Sequence, residues 1–302
     1  MRTYEPIYHN DEYIGIRMRT IGFIGYGKMN QMLAMGFLRT GVLQQNQIAI
    51  STRTWEKVSN LTDSFPDIRL IKDNRDLAEV ADIIFIGVRP LEVLPVLDEI
   101  HDVRDGDVHI VSLAACVKAD LMASVHPGRI SRVLPSICST VNEGISLIYH
   151  HPAVQLEEAA YVQELLSSLS RVIRIDEELF EPAGDLMSCG PALITRILME
   201  FAAAGSRHST LSQDACLEMV TETAFGTIRL LQEGVHPEDL ISRVATPGGI
   251  TEEGVKILEQ DLPQVFDRLF DTTLAKYELV RGRVAMSRNE VINQSDIVKA
   301  KR

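Results

Sequence analysis

Apolar residues recur along this chain in two rhythms, and the change between them divides it. From residue 19 to about 176, short β-rich apolar runs alternate with stretches whose apolar positions fall three and four apart. The runs at 20–25, 47–52, 68–72, 81–88, 108–114, 129–134, 145–149 and 171–175 read as strands. The stretches at 28–39, 91–100, 118–125 and 155–169 read as helices. Ile83-Ile84-Phe85-Ile86-Gly87-Val88 shows no polar alternation, as a strand buried on both faces requires. Strands of that kind separated by helices predict a doubly wound α/β domain with a parallel sheet. Beyond residue 176 the strand signal stops. Residues 177–205, 212–233, 238–243, 252–260 and 263–287 read as helices, punctuated by Gly205, Gly234 and Pro247-Gly248-Gly249. Cys216, Met219, Val220, Thr223, Thr227 and Leu231 form a helical stripe, and the small residues Ala202–Gly205 and Gly226 let helices approach closely. Three segments are expected: a flexible leader at 1–17, the α/β domain at 18–176, and an all-helical substrate and oligomerisation domain at 177–302.

Composition narrows the partners. The 302 residues suffice for two domains, and 42 acids against 30 bases give a net charge of −12. That balance opposes nucleic-acid and anionic-membrane partners, so any phosphate must be held by backbone amides and a few placed bases. No apolar run approaches the ~20 residues of a membrane span. The segment 83–88 is bounded by Asp82 and Arg89, and 193–205 is interrupted by Arg196 and Glu200. The polar, mixed-charge start of the chain is unlike a secretory signal, and a cytoplasmic protein is expected. Cys116, Cys138, Cys189 and Cys216 lie far apart without ligand-like spacing, which predicts reduced thiols and no metal.

The first strand runs into Gly25-Tyr26-Gly27-Lys28-Met29 and then a helix. The first glycine permits a tight turn, and the second lets a pyrophosphate approach the backbone at a helix N-terminus. In the full pattern, position 30 is glycine or alanine; here it is Asn30. The context predicts a Rossmann-like dinucleotide site, the plain alternative being a structural turn. The second strand ends Ser51-Thr52-Arg53-Thr54, with none of the acids that accept from the ribose 2′-hydroxyl in an NAD(H) site. An arginine fork suits a 2′-phosphate, so NADP(H) is favoured over NAD(H).

In the helical half, Thr246-Pro247-Gly248-Gly249-Ile250-Thr251 precedes a helix. Its amides and the helix N-terminus make a candidate site for a small carboxylate, the alternative being a turn with Thr251 as its cap. GFIGYGKM at 22–29, STRT at 51–54, Asn74, ADIIFIGVRP at 81–90, SLAAC at 112–116, RVLPS at 132–136, NEG at 142–144, CGPA at 189–192 and TPGGIT at 246–251 occur in that order. Together they resemble the pyrroline-5-carboxylate reductase family from Met18 to about Arg283. The resemblance implies an NADPH-dependent oxidoreductase that reduces a cyclic imino acid, 1-pyrroline-5-carboxylate, to proline. It also implies a helical dimerisation domain, a homodimer or a multiple of dimers, and an active site between one subunit's cofactor and its partner's helices. By that resemblance Gly25, Tyr26, Gly27, Lys28 and Met29 surround the pyrophosphate. Thr52 and Arg53 face the 2′-phosphate, and Asn74 the adenine ribose. Val88, Arg89, Pro90, Ala114 and Ala115 line the nicotinamide side. Thr246, Gly248, Gly249, Ile250 and Thr251 hold the substrate, with the Thr251 hydroxyl at the ring nitrogen as the catalytic group.

The chain departs from the family pattern in two polar groups. Ser136 replaces an asparagine and Leu193 a tyrosine, and PSI, SCGPA and GGITxEG resemble a branch associated with late competence in bacteria. An NADP(H)-binding member with a regulatory role or another imine is therefore the alternative. A 3-hydroxyacid dehydrogenase of this architecture would need a lysine acid–base on the first long helix, and no lysine lies between Lys118 and Lys256. Glu218 and Glu222 share a helical face but read as a solvated pair, not a metal site.

Overall fold

The computed structural model describes residues 18–299, with side chains through 287; the expected leader at 1–17 lies outside the described residues. Its elements are β1 (Ile21–Ile24), α1 (Lys28–Thr40), β2 (Ile48–Ser51), α2 (Leu61–Ser64), β3 (Arg69–Leu70), α3 (Asn74–Val80), β4 (Ile83–Ile86), α4 (Pro90–Ile100), β5 (His109–Ser112), α5 (Ala119–Ala123), β6 (Arg129–Pro135), β7 (Gly144–His150), α6 (Leu156–Ser167) and β8 (Ser170–Arg174). After these come α7 (Phe180–Gly184), α8 (Gly190–Arg207), α9 (Gln213–Gln232), α10 (Pro237–Val244) and α11 (Ile250–Lys299).

All eight expected strands join one sheet in the order β3-β2-β1-β4-β5-β6-β7-β8. From β3 to β6 every pairing is parallel. The order 3-2-1-4-5-6 places a topological switch between β1 and β4, where a crevice opens beyond the strands' C-terminal ends. One correction concerns the far edge. β7 pairs antiparallel to β6, Ser131 facing His150, because only a short turn at residues 136–143 separates them and a parallel return needs a longer crossover.

The helical half also departs from the expected pattern. The single helix expected at 177–205 is a 3₁₀ turn, α7, one π-helical turn at Asp185–Cys189, and α8. The two helices expected at 252–260 and 263–287 are one, α11, which carries Pro263 inside it. Of the stripe on α9, only Cys216 is buried; it packs against Gly205 of α8. Helices α8 and α9 pack together, yet Ile194, Ile197, Phe201, Phe225 and Ile228 stay exposed, Phe201 by 66%. Counting unbroken apolar residues also understated one segment: Glu177–Arg207 is apolar and long enough, by composition alone, to cross a membrane.

The halves are tied by buried charge. Arg132 on β6 is 1% exposed, 3.0 Å from Glu177 and 3.6 Å from Glu181. Its guanidinium stacks 4.5 Å from the Phe180 ring centroid, and Arg281 of α11 reaches Glu181 at 3.2 Å. Arg281 also pairs with the exposed Glu278 at 2.6 Å, so each buried carboxylate at this junction faces a guanidinium, the condition under which buried charges persist. Val280 and Val284, on either side of Arg281, join the core cluster that holds Val93, Leu94 and Leu97 of α4.

Candidate active site

The nucleotide cradle sits at the switch point. Fully buried β1 delivers the chain to Gly25, whose φ of +78° is left-handed and whose amide donates to Ser51 at 2.8 Å. A Cβ there would lie 3.0 Å from the Gly87 carbonyl oxygen, so both the turn and the close approach require glycine. Gly27 is the N-cap of α1 with no side-chain cap, and the first intrahelical bond runs from Gln31 to Gly27 at 2.9 Å. The amides of Lys28, Met29 and Asn30 therefore lack helical partners. No acid occupies this first turn. The buried Tyr26 hydroxyl has no partner among the described residues, and burial pushes its pKa up to about 12.

Asn30, the departure from the glycine pattern, is a staple. Wholly buried, its Nδ2 donates to the carbonyls of Gly25 at 2.6 Å, Ile24 at 3.1 Å and Phe85 at 3.2 Å. The carboxamide fixes the cradle to β4, and it fits because Gly87 has no side chain: a Cβ there would lie 2.5 Å from Nδ2.

The structure brings Thr52, Arg53 and Asn74 to the end of β2, with Ser51 donating to Asn74 at 2.8 Å and Asn74 donating to Glu99 at 2.8 Å. Arg53 does not stand alone. Glu92 of α4 receives Arg53 at 2.5 Å and Arg89 at 3.3 Å on the same oxygen, and the Arg89 amide at 3.2 Å on the other. Burial raises the Glu92 carboxyl, but hydrogen bonds from Arg53 and the Arg89 amide outweigh it and hold the pKa below the usual range. Arg89, expected on the nicotinamide side, thus converges with Arg53. Pro90 starts α4 at a position where its missing N–H costs nothing.

Val88 follows β4; Ala114 and Ala115 follow β5, and Ser112 lies in register with Ile86. Cys116 next to them has a φ of +67°, a strained value for a residue with a side chain. Its thiol is buried, and burial foremost pushes its pKa up to about 11, as suits an inert thiol. Among the described residues no cluster could hold a metal ion.

The 246–251 loop is not brought to this crevice within one chain. Thr246, Gly248, Ile250 and Thr251 are exposed, and no hydrogen bond or ion pair described for the loop reaches the sheet. Two of its amides are taken, where the sequence predicts exposed donors. Gly249 donates to Thr246 at 2.8 Å, and Gly248, with a φ of +74°, donates to the Glu252 carboxylate at 2.8 Å. The Gly248 bond foremost, then Lys256, holds the Glu252 carboxyl below its ordinary pKa. The loop is thus folded around a carboxylate that its own helix supplies.

A model for pyrroline-5-carboxylate reductase dimerisation matches residues 177–279, and one for coenzyme F420-dependent NADP oxidoreductases matches 20–116. Pyrroline-5-carboxylate reductase 3 of Bacillus subtilis is 35% identical over 269 residues, covering 88% of this chain and 98% of that protein. The chain belongs to the pyrroline-5-carboxylate reductase family. ComE operon protein 4 of the same organism is 28% identical, covering 85% of this chain and 95% of that protein. The Plasmodium falciparum pyrroline carboxylate reductase structure with NADP bound superposes with a TM-score of 0.75 at 21% identity, over 89% of this chain and 98% of that one. The reductase fold therefore extends through both halves.

If Arg53 faces a 2′-phosphate, Arg53→Ala weakens NADPH binding at least about tenfold more than NADH binding, the loss of a charge-assisted fork. Fluorescence titration of both cofactors measures this, and equal losses would refute the assignment.

Proposed function

We propose that this chain reduces 1-pyrroline-5-carboxylate to proline with NADPH, as a soluble cytoplasmic homodimer or multiple of dimers. Family membership over nearly the whole chain carries the reading. The cradle supports the cofactor: unpaired amides at 28–30 and a turn that a Cβ would obstruct fit a pyrophosphate. Arg53 and Arg89, sharing one carboxylate, leave net positive charge for a 2′-phosphate. When bound, NADPH supplies the hydride. The chain's contribution is placement. Backbone donors of 246–251 grip the substrate carboxylate in exchange for Glu252, and the Thr251 hydroxyl meets the ring nitrogen. A protonated C=N bond is already electrophilic, so holding the imine at near-attack distance supplies much of the acceleration.

Dimerisation fits the two open features. The apolar faces of α8 and α9 would be covered by a second copy rather than by lipid. The 246–251 loop, distant from its own sheet, would complete the partner's crevice.

The test follows NADPH absorbance with pyrroline-5-carboxylate as substrate; steady oxidation is expected. The second reading, a binding protein without turnover, draws on Ser136 and Leu193, which lack the family's polar groups, and on Glu252 seated at Gly248. Tight NADPH binding with no oxidation would favour it.

A further inference from the structure

Between α7 and α8 the chain makes a π-helical turn, Asp185–Cys189, a rare irregularity that is frequent at functional sites. Here it turns a carboxylate inward. Asp185 is 1% exposed, and hydroxyls one turn apart on α11 hold both its oxygens. Thr273 donates to Oδ2 at 2.5 Å and Tyr277 to Oδ1 at 3.0 Å. Arg132 and Arg281, which reach the preceding turn, are committed to Glu177 and Glu181. Among the described residues no cation forms an ion pair with Asp185. A buried carboxylate with hydroxyl partners and no cation is poised to accept one.

Its position fits that need. Ser188 of the same turn donates to the Pro135 carbonyl at 3.4 Å. A Cβ on Gly184 would lie 3.3 Å from Leu134 and 3.9 Å from the Tyr277 hydroxyl. Leu134 and Met187 pack with Ala115. The cluster therefore borders the C-terminal ends of β5 and β6, the edge that carries the nucleotide cradle. Burial foremost, with Cys189 and Asp185, drives the Tyr277 pKa far up, so the phenol keeps its proton. That proton points at Asp185, leaving lone pairs on the oxygen as acceptors; Cys189 Sγ lies 3.7 Å away.

We propose that Tyr277 and Asp185 select the protonated, cationic imine: the Tyr277 oxygen accepts its N–H, and Asp185 is the positioning residue that orients the phenol and supplies the countercharge. The inference rests on the reductase reading above. In the reaction hydride adds to the imine carbon, the C=N π pair moves onto nitrogen, and the proton already on nitrogen stays. The amine then takes a second proton from solvent, and its two N–H bonds find two acceptors, Tyr277 and the Thr251 hydroxyl of the second subunit. Tyr277 thus supplies a polar group in a chain whose Ser136 and Leu193 lack the family's amide and phenol.

Asp185→Asn, Tyr277→Phe and the double variant test this, with kcat and kcat/KM for pyrroline-5-carboxylate measured from pH 6 to 9 at saturating NADPH. Each single variant is expected to lose about tenfold or more in kcat/KM at pH 7, while NADPH affinity stays within about twofold. The alkaline limb of the kcat profile, which reports the bound complex, moves down by about half to one pH unit in Asp185→Asn, which a merely structural role would not do. The double variant falls little below the worse single one, because the two act as a unit. Should Asp185→Asn fail to fold, Tyr277→Phe, which removes one hydroxyl, carries the test alone. Wild-type turnover with single variants within about twofold and an unmoved limb would overturn this inference and leave the reductase reading standing. A wild-type chain that neither oxidises NADPH with the imine nor binds proline would overturn both.

Discussion

Gly249→Val is expected to lower kcat/KM for pyrroline-5-carboxylate by about a hundredfold or more while leaving NADPH affinity within about twofold, the penalty of moving a reacting group by roughly an ångström. A Cβ at position 249 would lie 2.8 Å from both the carbonyl and the hydroxyl oxygen of Thr246. Neither is the loose end of a long side chain; both belong to the loop itself. Relief requires opening the bond from the Gly249 amide to Thr246, which closes the loop at 2.8 Å. Thr251 at the head of α11 would then lose its place relative to Gly248. The cradle is formed by other residues, none of which bonds to the loop within the chain, so cofactor binding persists. Thr251→Val, nearly isosteric, removes only the hydroxyl and is expected to reduce kcat with a smaller change in KM. Steady-state kinetics paired with NADPH titration separates these outcomes. A Gly249→Val protein with unchanged kcat/KM would remove the loop from the reaction.

What could be read from the chain before folding follows the range of the forces involved. Strands buried on both faces announce themselves locally, and all eight expected runs contain a strand of the sheet. Helix α3 was readable in principle. Asp73 accepts from the amides of Arg75 at 2.7 Å and Asp76 at 3.3 Å, an N-cap that the Asp-Asn-Arg-Asp spelling displays. The long-range partners were not. Nothing near Asp185 in sequence foretells that Thr273 and Tyr277, 88 and 92 residues away, hold its carboxylate. Asn30 looked like damage to a glycine pattern until Gly87, 57 positions on by number, proved to make room for it. Arg53 was legible as a base at the end of β2, but its sharing of Glu92 with Arg89 required α4 to be seated beside it. The loop at 246–251 was identifiable by spelling, whereas Glu252 on its Gly248 amide depended on how the helix begins.

Stability is expected to fall steeply on mild acidification, because three imidazoles are buried in neutral form. Burial foremost lowers the pKa of His109 to about 3, His126 to about 4 and His150 to about 4. His150, Arg129 and Arg19 push His109 the same way, as Arg174 does His150, and neither ring nitrogen of His126 has a hydrogen-bond partner among the described residues. Hydrogen bonding supplies a second reason. Gln163 Nε2 lies 3.3 Å from His150 Nε2 and donates to it, so His150 Nδ1 carries the proton and donates to Ser131 at 2.6 Å. The Ser131 hydroxyl then donates to His109 Nε2 at 2.7 Å. A proton added at either accepting nitrogen would turn it against a donor. Each folded pKa lies below the value of about 6.5 for an unfolded histidine, so the unfolded chain binds protons that the folded one refuses. Their contribution is complete above about pH 6.5 and is lost as pH falls toward the folded values. Where all three differ fully, the slope approaches about 4 kcal/mol per pH unit, large against a domain stability of about 5–15 kcal/mol. Salt-bridged carboxylates add their own loss only at lower pH, since Glu92 and Asp102 are held below the ordinary carboxylate range. Calorimetric unfolding near pH 5 in buffers of different ionisation enthalpy should count about three protons taken up. A count below about one, with Tm unchanged between pH 7 and 5, would mean that these imidazoles are charged in the folded protein.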